Sequence, residues 1–172
     1  MNFLETELSG AYIIEIEKIL DNRGFFARTM DLEKNEELGI ESNIVQSSIS
    51  FNIKKGTLRG MHFQVKPFEE AKYVRCTKGK IFDVIVDLRE NSKTFQKWIS
   101  VELSEENHRI LYIPKGFAHG FQTLVDNTEV FYEITQVFNP KYARGFRYDN
   151  KKFGIKWPLT VSVISEKDES FE

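Results

Sequence analysis

The stretch KYVRCTKGKIFDVIVDL, residues 72–88, decides the fold class because it joins two alternating segments through a tight turn. TKGK separates KYVRC from IFDVIVDL, and Gly79 can supply the positive φ that short turns require. The second segment has two faces, one with Phe82, Val84, Val86 and Leu88 and the other with Ile81, Asp83, Ile85 and Asp87. The stretch therefore predicts a β-hairpin.

Alternation with a period of two recurs along the rest of the chain, beginning with YIIEIEK at residues 12–18. It predicts strands at 46–52, 58–64, 97–103, 109–113, 120–124 and 128–138. Only 31–39 and 104–108 have a helical pattern, the first with Asp31 as a candidate N-cap and Gly39 as a candidate stop. Many short strands separated by turn signals predict an antiparallel sandwich or barrel.

The length of 172 residues, with 41% hydrophobic side chains, predicts a single domain over residues 1–172. The tail PLTVSVISEKDESFE, residues 158–172, starts like a strand and becomes acidic, so it is either a frayed terminus or a segment folded over the core. The lone Cys76 cannot form an internal disulfide, and we expect it to pack as a small buried hydrophobe.

The formal charge of −2 gives no basic footprint for nucleic acid and no cationic face for a membrane. No segment approaches the roughly 20 apolar residues of a membrane span, and the first ten residues lack a signal-peptide pattern. We therefore expect a cytoplasmic protein that binds neither nucleic acid nor membrane.

The chain has three histidines, and two of them occur in unusual surroundings. His62 lies with Arg59 in LRGMHFQ, a segment that otherwise resembles a core strand. His119 lies in IPKGFAHGF, where glycines indicate a close approach of two backbones. His108 lies in the polar segment SEENHR, and we expect it to be a solvated surface residue.

A metal site is the first hypothesis for histidines in a β-barrel, since metal-binding cupins use them. Such sites need three or four converging ligands, usually including two histidines two positions apart on one strand. Gln64 stands two positions after His62, and Gly60 two positions before it. We therefore expect no metal.

General base catalysis is the second hypothesis for His62. A neutral imidazole accepts a proton near pH 7 when a carboxylate holds its other nitrogen. Lys72 shares a strand face with Val74 and can place positive charge where an oxyanion develops. Tyr132, in TEVFYEITQVF, is either a structural core tyrosine or a proton donor. The candidate carboxylates are Asp83, Asp87 and Asp168.

Three cations lie next to glycines or inside apolar strands, namely Arg23, Arg59 and Lys72. Arginine is seldom buried without a partner, so this group favours a pocket for a phosphate or carboxylate. The alternative is a set of buried ion pairs with Asp83 or Asp87.

Together these motifs resemble a known family, the nucleotide-sugar 3,5-epimerases typified by dTDP-4-dehydrorhamnose 3,5-epimerase. The similar segments extend from DNRGFF near residue 21 to SEKD at residue 168, and include GTLRGMHFQ, IPKGFAHGFQTL and EVFYEITQVFNP. The resemblance implies an all-β, cupin-type jelly roll, a double-stranded β-helix with a few short helices. It also implies a homodimer that needs no cofactor and acts on a nucleoside-diphosphate 4-keto-6-deoxysugar.

The resemblance also implies a role for individual residues. His62 would be the base, Asp168 its carboxylate partner, Lys72 the enolate stabiliser and Tyr132 the proton donor. The positions similar to substrate-binding residues are Arg23, Phe26, Gln46, Arg59, His119, Phe138 and Lys167.

Three further candidate substrate-binding residues depart from the pattern of the dTDP-rhamnose enzymes. Arg28 stands where those enzymes typically have Glu, Ser48 lies in an altered Gln-x-Asn motif, and Arg144 lies where a Glu is commonly found. The nucleotide, the sugar and the choice of C3, C5 or both are therefore left open. The alternatives are a mono-epimerase, a ketoisomerase that moves the ketone along the sugar ring, and a non-catalytic sugar-binding jelly roll.

Overall fold

A computed structural model describes residues 1–172 and contains thirteen strands and two short helices. In chain order they are β1 (Asn2–Glu5), β2 (Tyr12–Glu15), β3 (Ile19–Asp21), β4 (Gly24–Phe26), α1 (Leu32–Glu37), β5 (Gln46–Asn52), β6 (Leu58–Gln64), β7 (Lys72–Lys78), β8 (Lys80–Asp87), β9 (Trp98–Ser104), β10 (Ile110–Ile113), β11 (Phe117–Thr123), β12 (Thr128–Ile134), β13 (Ala143–Gly145) and α2 (Glu166–Glu169). Neither helix is long and apolar enough to cross a membrane.

Two antiparallel sheets form the body of the molecule. The first has the order β1-β2-β10-β7-β12-β5, and the second has the order β13-β6-β11-β8-β9. Strands β3 and β4 pair only with each other, as a separate hairpin. Most neighbours within a sheet are distant in sequence, as in a jelly roll. The predicted all-β jelly roll with a few short helices is confirmed.

The turn TKGK does not close a paired hairpin, so that prediction is wrong. Strand β7 pairs with β10 and β12, whereas β8 pairs with β11 and β9 in the other sheet. Gly79 does adopt the expected positive φ, at 76°, and a Cβ there would lie 2.7 Å from Thr128 Oγ1. The turn therefore carries the chain from one sheet to the other. Strands β7 and β8 do not pair with each other, because each has two other strands as neighbours in its own sheet.

The main core lies between the two sheets. Side chains from both contribute to it, including Val74 and Val130 of the first sheet and Ile81 and Ile85 of the second. Cys76 packs there as predicted, and burial raises the pKa of its thiol to about 12. This core fills much of the space between the two sheets.

The opposite faces of both sheets are also covered. Val84 and Val86 lie on the face of β8 that points away from the main core, and they pack with Met61 and with Phe146 and Ile155 from the C-terminal region. Burial of β8 on both faces explains why apolar residues lie on both faces, at five of its eight positions. The outer face of the six-stranded sheet is covered by the N-terminus and by residues around α1.

The predicted helix at 104–108 is a turn. Asn107 Oδ1 accepts hydrogen bonds from the backbone N–H groups of Ser104 and Arg109, and Ser104 Oγ accepts one from Asn107. These side-chain bonds compete with helical ones. His108 has a φ of 52° and is half-buried against the Phe25 ring, so it is less solvated than expected.

The other helix and the tail differ less from expectation. Helix α1 occupies Leu32–Glu37 with Asp31 as its N-cap, and Gly39 follows with a φ of 66°. The strand predicted over 128–138 ends at Ile134. Of the two alternatives for the C-terminal tail, the folded segment is observed: its start forms only an isolated bridge between Thr57 and Val163, and α2 then packs on β6.

Candidate functional site

A cavity of about 600 Å³ opens between the two sheets. Strands β5, β7 and β12 contribute to its lining from the six-stranded sheet, and β6, β11 and β13 from the other. Most of the predicted site residues line it: Gln46, Ser48, Arg59, His62, Lys72, His119, Tyr132, Phe138, Arg144 and Lys167. The fold therefore brings together side chains that are widely separated in sequence.

His62 and Asp168 form a hydrogen-bonded pair at the wall of this cavity. His62 Nε2 lies 2.7 Å from Asp168 Oδ1, and the backbone N–H of Gly60 donates to Asp168 Oδ2 at 3.0 Å. The Asp168 side chain is 5% exposed, whereas that of His62 is 42% exposed. The carboxylate thus lies behind the ring, and the ring faces the cavity.

The position of Asp168 depends on helix α2. Ser165 caps this helix by accepting a hydrogen bond from the N–H of Asp168. Phe171, just beyond α2, packs edge-on against the His62 ring at 6.0 Å between ring centroids. The folded C-terminal segment therefore fixes the imidazole through both a carboxylate and an aromatic contact.

The pair determines the chemistry of His62. Burial opposes ionisation of Asp168, but the hydrogen bonds from the His62 ring and the Gly60 N–H outweigh it and hold the Asp168 pKa below its usual range. An ionised carboxylate keeps the proton of a neutral imidazole on Nε2. The Nδ1 of His62 is then unprotonated and can accept a proton from a ligand.

Lys72 and Tyr132 enter the cavity from the sheet opposite His62. They lie on neighbouring strands, where Lys72 pairs with Ile134 and Tyr132 with Val74. Tyr132 is half-buried, packs against the main core and has no hydrogen-bond partner for its hydroxyl within the chain. An imidazole and a phenol therefore face the same cavity from two different sheets.

Lys72 has a carboxylate partner, Glu70, that was not predicted from the sequence. Its Nζ lies 3.1 Å from Glu70 Oε1, and the side chains of Lys72 and Glu70 are only 14% and 7% exposed. Glu70 also lines the cavity. Residues two apart in an extended chain share a face, so the spacing to Lys72 was a usable signal.

His119 lies beside His62 in the neighbouring strand. The two are register partners between β11 and β6, and the strands approach closely at Gly120, where a Cβ would lie 2.7 Å from Arg59 O. The expected close backbone approach is thus observed. His119 is mid-strand, and its Nε2 lies 2.7 Å from Asp83 Oδ1.

Asp83 is completely buried beneath the cavity. Burial raises the pKa of its carboxyl group above the usual range, opposed by the neighbouring His119 ring and by the charge of Lys72. Its second oxygen, Oδ2, has no hydrogen-bond partner. Asp83 therefore supports His119, while Asp168 supports His62, so the carboxylate partner of the proposed base is Asp168.

The alternative of buried ion pairs with Asp83 or Asp87 is wrong for the three cations. Arg59 donates to Asn52 Oδ1 at 2.7 Å, Lys72 pairs with Glu70, and Arg23 pairs with Asp21 on the surface. Arg59 and Lys72 thus keep hydrogen-bond donors near the cavity.

The cavity mouth has its own anchored residues. Gln46 Oε1 accepts a hydrogen bond from the Phe138 N–H at 2.8 Å, which holds an aromatic ring that is about half exposed. Arg144 donates to the backbone carbonyls of Lys141 and Ala143.

Gln64, where a second metal-ligand histidine would stand, instead forms hydrogen bonds to the backbone of Phe68, Val137 and Asn139.

Three predicted binding residues do not line the cavity of their own chain. Arg23 and Phe26 lie on the β3–β4 hairpin, which is exposed throughout, and Arg28 follows it and pairs with Asp31. The Phe26 residue is 68% exposed.

A family model and a curated relative, both described as dTDP-4-dehydrorhamnose 3,5-epimerase, match nearly the whole chain. The family model described as dTDP-4-dehydrorhamnose 3,5-epimerase matches residues 5–172. A protein of that name from Methanothermobacter thermautotrophicus is 45% identical over 174 residues, covering 99% of this chain and 92% of the relative.

Solved structures of epimerases are also similar to this chain. The dTDP-4-dehydrorhamnose 3,5-epimerase of Bacillus anthracis, with TDP and PPi bound, has a TM-score of 0.95 and 38% identity, covering 99% of this chain and 98% of that one. The more distant 3'-monoepimerase ChmJ of Streptomyces bikiniensis, in complex with dTDP-quinovose, has a TM-score of 0.86 and 26% identity, covering 95% and 83%. The family resemblance drawn from the sequence motifs is confirmed.

Proposed function

The chain belongs to the dTDP-4-dehydrorhamnose 3,5-epimerase family, and from this premise we propose that it inverts C3, C5 or both in a nucleoside-diphosphate 4-keto-6-deoxysugar. The observation that carries the proposal is the placement of His62 and Tyr132 in one cavity on opposite sheets. Inversion requires proton removal from one face of the sugar and proton delivery to the other.

His62 is the proposed base. A ketone at C4 acidifies the hydrogens on C3 and C5, because the carbanion left behind is delocalised as an enolate. The Nδ1 of His62 takes this proton, and the ionised Asp168 at 2.7 Å from Nε2 stabilises the imidazolium that forms. The ketone is the electron sink, so no cofactor is proposed.

Lys72 is the proposed stabiliser of the enolate oxygen. Its side chain is largely buried, and a charge interaction is stronger in such surroundings than in bulk solvent. Because Lys72 lies on the sheet opposite His62, it can donate to O4 while His62 acts on the neighbouring carbon.

Tyr132 is the proposed acid. Its hydroxyl has no partner within the chain, which leaves it available to the ligand. Donation of the phenolic proton to the enolate carbon, on the face opposite His62, completes the inversion. His62 then releases its extra proton to solvent, and the Tyr132 phenolate takes up a proton from solvent.

The remaining cavity residues suit a nucleoside diphosphate. Arg59, Lys167 and Arg144 supply positive charge, and charged donors form strong hydrogen bonds to phosphate oxygens. The Phe138 ring at the mouth offers a flat surface on which a base can stack. Gln46, Ser48 and His119 add polar groups between these two regions.

We further propose a homodimer in which the β3–β4 hairpin reaches the partner's cavity. This hairpin exposes the register partners Ile19 and Phe26 on one face and Leu20 and Phe25 on the other. Exposed large apolar side chains gathered in this way are typical of an interaction surface. Such a pairing gives Arg23, Phe26 and Arg28 access to a nucleotide that their own chain's cavity does not offer.

A mono-epimerase is the second candidate, favoured by the similarity to the 3'-monoepimerase ChmJ. His62, Lys72 and Tyr132 suffice for either reaction, because the same three groups can act at one carbon or at two. The choice depends on whether the sugar ring can reposition between the two steps.

Incubation with dTDP-4-keto-6-deoxyglucose in D2O, followed by NMR, tests the proposal. Deuterium at both C3 and C5 with inversion supports the 3,5-epimerase, and deuterium at one carbon supports the mono-epimerase. A 3-keto product would assign a ketoisomerase instead. Binding without exchange for any dTDP, UDP, CDP or GDP 4-keto sugar would leave a non-catalytic binding module.

A further inference from the structure

Glu70 occupies an unusual position beside Lys72. It precedes strand β7 and lines the cavity. Its Oε1 lies 3.1 Å from Lys72 Nζ, and this is the only ion pair that Lys72 forms within the chain. Both side chains are largely buried, so water offers Lys72 little competition for this contact. A buried lysine needs such a partner, because an ammonium without one is costly.

The two oxygens of Glu70 differ in their surroundings. Oε1 contacts Lys72, whereas Oε2 is buried and has no hydrogen-bond partner. A carboxylate that served to stabilise the fold would be expected to satisfy both oxygens. The orientation of Glu70 is therefore set by one contact, the one with Lys72.

A second carboxyl group, that of Asp83, is the alternative acceptor for the Lys72 ammonium. Asp83 is completely buried, and its Oδ2 is also without a hydrogen-bond partner. The positive charge of Lys72 counters the rise that burial causes in the Asp83 pKa, so the two side chains interact. A lysine side chain has several rotatable bonds and can turn toward whichever acceptor is nearer. Without Glu70, the Lys72 ammonium would have reason to turn down toward Asp83 and away from the ligand.

We propose that Glu70 is a positioning residue, whose Oε1 holds the Lys72 ammonium in the cavity and keeps its remaining N–H groups directed at the substrate oxygen. This role rests on the proposed function of Lys72 as the enolate stabiliser. What matters is an acceptor atom at the correct distance, since the 3.1 Å contact with Glu70 Oε1 is the only ion-pair contact of the Lys72 ammonium within the chain. The net charge of Glu70 is secondary.

Two conservative variants separate position from charge. Glu70→Gln keeps an oxygen acceptor at the same reach but removes the charge, and we expect its kcat to stay within about threefold of wild type. Glu70→Asp keeps the charge but withdraws the acceptor by one methylene. For Glu70→Asp and the length-matched Glu70→Met we expect kcat to fall roughly 10- to 100-fold with KM changed by less than about threefold, the scale of a misplaced catalytic group.

A double-mutant cycle tests whether Glu70 acts through Lys72. The variant Glu70→Met with Lys72→Met should lose no more kcat than Lys72→Met alone, and circular dichroism should give the wild-type fold for each protein. Wild-type kcat in both Glu70→Asp and Glu70→Met overturns the positioning role, as does a Glu70→Gln protein as slow as Glu70→Met. A wild-type protein without any exchange removes the proposed function, and this role with it.

Discussion

His62 and Asp168 are 106 residues apart in sequence, yet His62 Nε2 lies 2.7 Å from Asp168 Oδ1. The carboxylate is held in turn by the Gly60 N–H, from the same strand as His62. The C-terminal helix and strand β6 are therefore joined by the group that keeps Nδ1 of His62 free. Substitutions at this pair should affect catalysis more than folding.

Asp168→Asn should lower kcat by about 10²- to 10⁴-fold. The amide N–H donates to Nε2 of His62 and thereby favours the tautomer with the proton on Nδ1, which cannot act as a base. Steady-state kinetics and deuterium exchange measure the loss. Glu169→Gln, on the exposed side of the same helix, is the matched control, and equal kcat values for the two variants would contradict the role of Asp168.

His62→Ala should lower the rate of deuterium exchange at least ~10²-fold, the usual scale for a general base, with the fold retained. The measurement is exchange in D2O together with circular dichroism. Glu105→Gln, an exposed substitution away from the cavity, is the control. Unfolding of His62→Ala would instead favour a structural role for this histidine.

Tyr132→Phe should separate exchange from inversion. His62 and Lys72 remain, so the enolate still forms and deuterium still enters the sugar. Without the phenol the proton returns mainly from the His62 face, which regenerates the starting configuration. NMR should therefore detect exchange exceeding inversion by at least tenfold, the lower part of the usual range for a lost acid. If the rates of deuterium exchange and of inversion fell by the same factor, Tyr132 would act before the enolate forms.

Local alternation was sufficient to predict much of the fold. The strands at 46–52 and 58–64 have the predicted bounds, and the shared face of Lys72 and Val74 placed the lysine in the cavity. These features depend on neighbours within one strand. The pairing of β7 and β8 with strands in different sheets depends on distant residues, and alternation contains no information about it.

The candidate site was predictable in its members but not in its contacts. Sequence spacing left Asp83, Asp87 and Asp168 equivalent as partners of His62, because the choice depends on how the C-terminal segment folds over β6. For Arg23 and Phe26, the motif indicated binding although neither lines the cavity of its own chain.

Mixed dimers should test the proposed contribution of the hairpin. Arg23→Ala and His62→Ala homodimers should each be nearly inactive, since each damages both sites. Random exchange of subunits makes half the dimers mixed, and each mixed dimer has one intact site, so about one quarter of wild-type activity should return. The measurement is activity after mixing. No recovery, despite subunit exchange confirmed by native mass spectrometry, would mean that Arg23 does not act across the dimer.

Asp87 should make folding stability sensitive to acid. Its carboxylate is buried, but hydrogen bonds from Arg89, Ser92 and Thr94 outweigh that burial and lower its pKa from 3.8 to about 2. A lowered pKa contributes stability that is present above the unfolded-state value and is lost as pH falls through the folded-state value.

For Asp87→Asn, we therefore expect a loss of about 2 kcal/mol in the free energy of unfolding at pH 7 relative to wild type. The difference between the two proteins should shrink between about pH 4 and pH 2, where the wild-type carboxylate becomes protonated in both states. Urea unfolding across this pH range measures it, with the exposed Glu106→Gln as control. A difference that stays constant with pH would show that the loss comes from packing rather than from ionisation of Asp87.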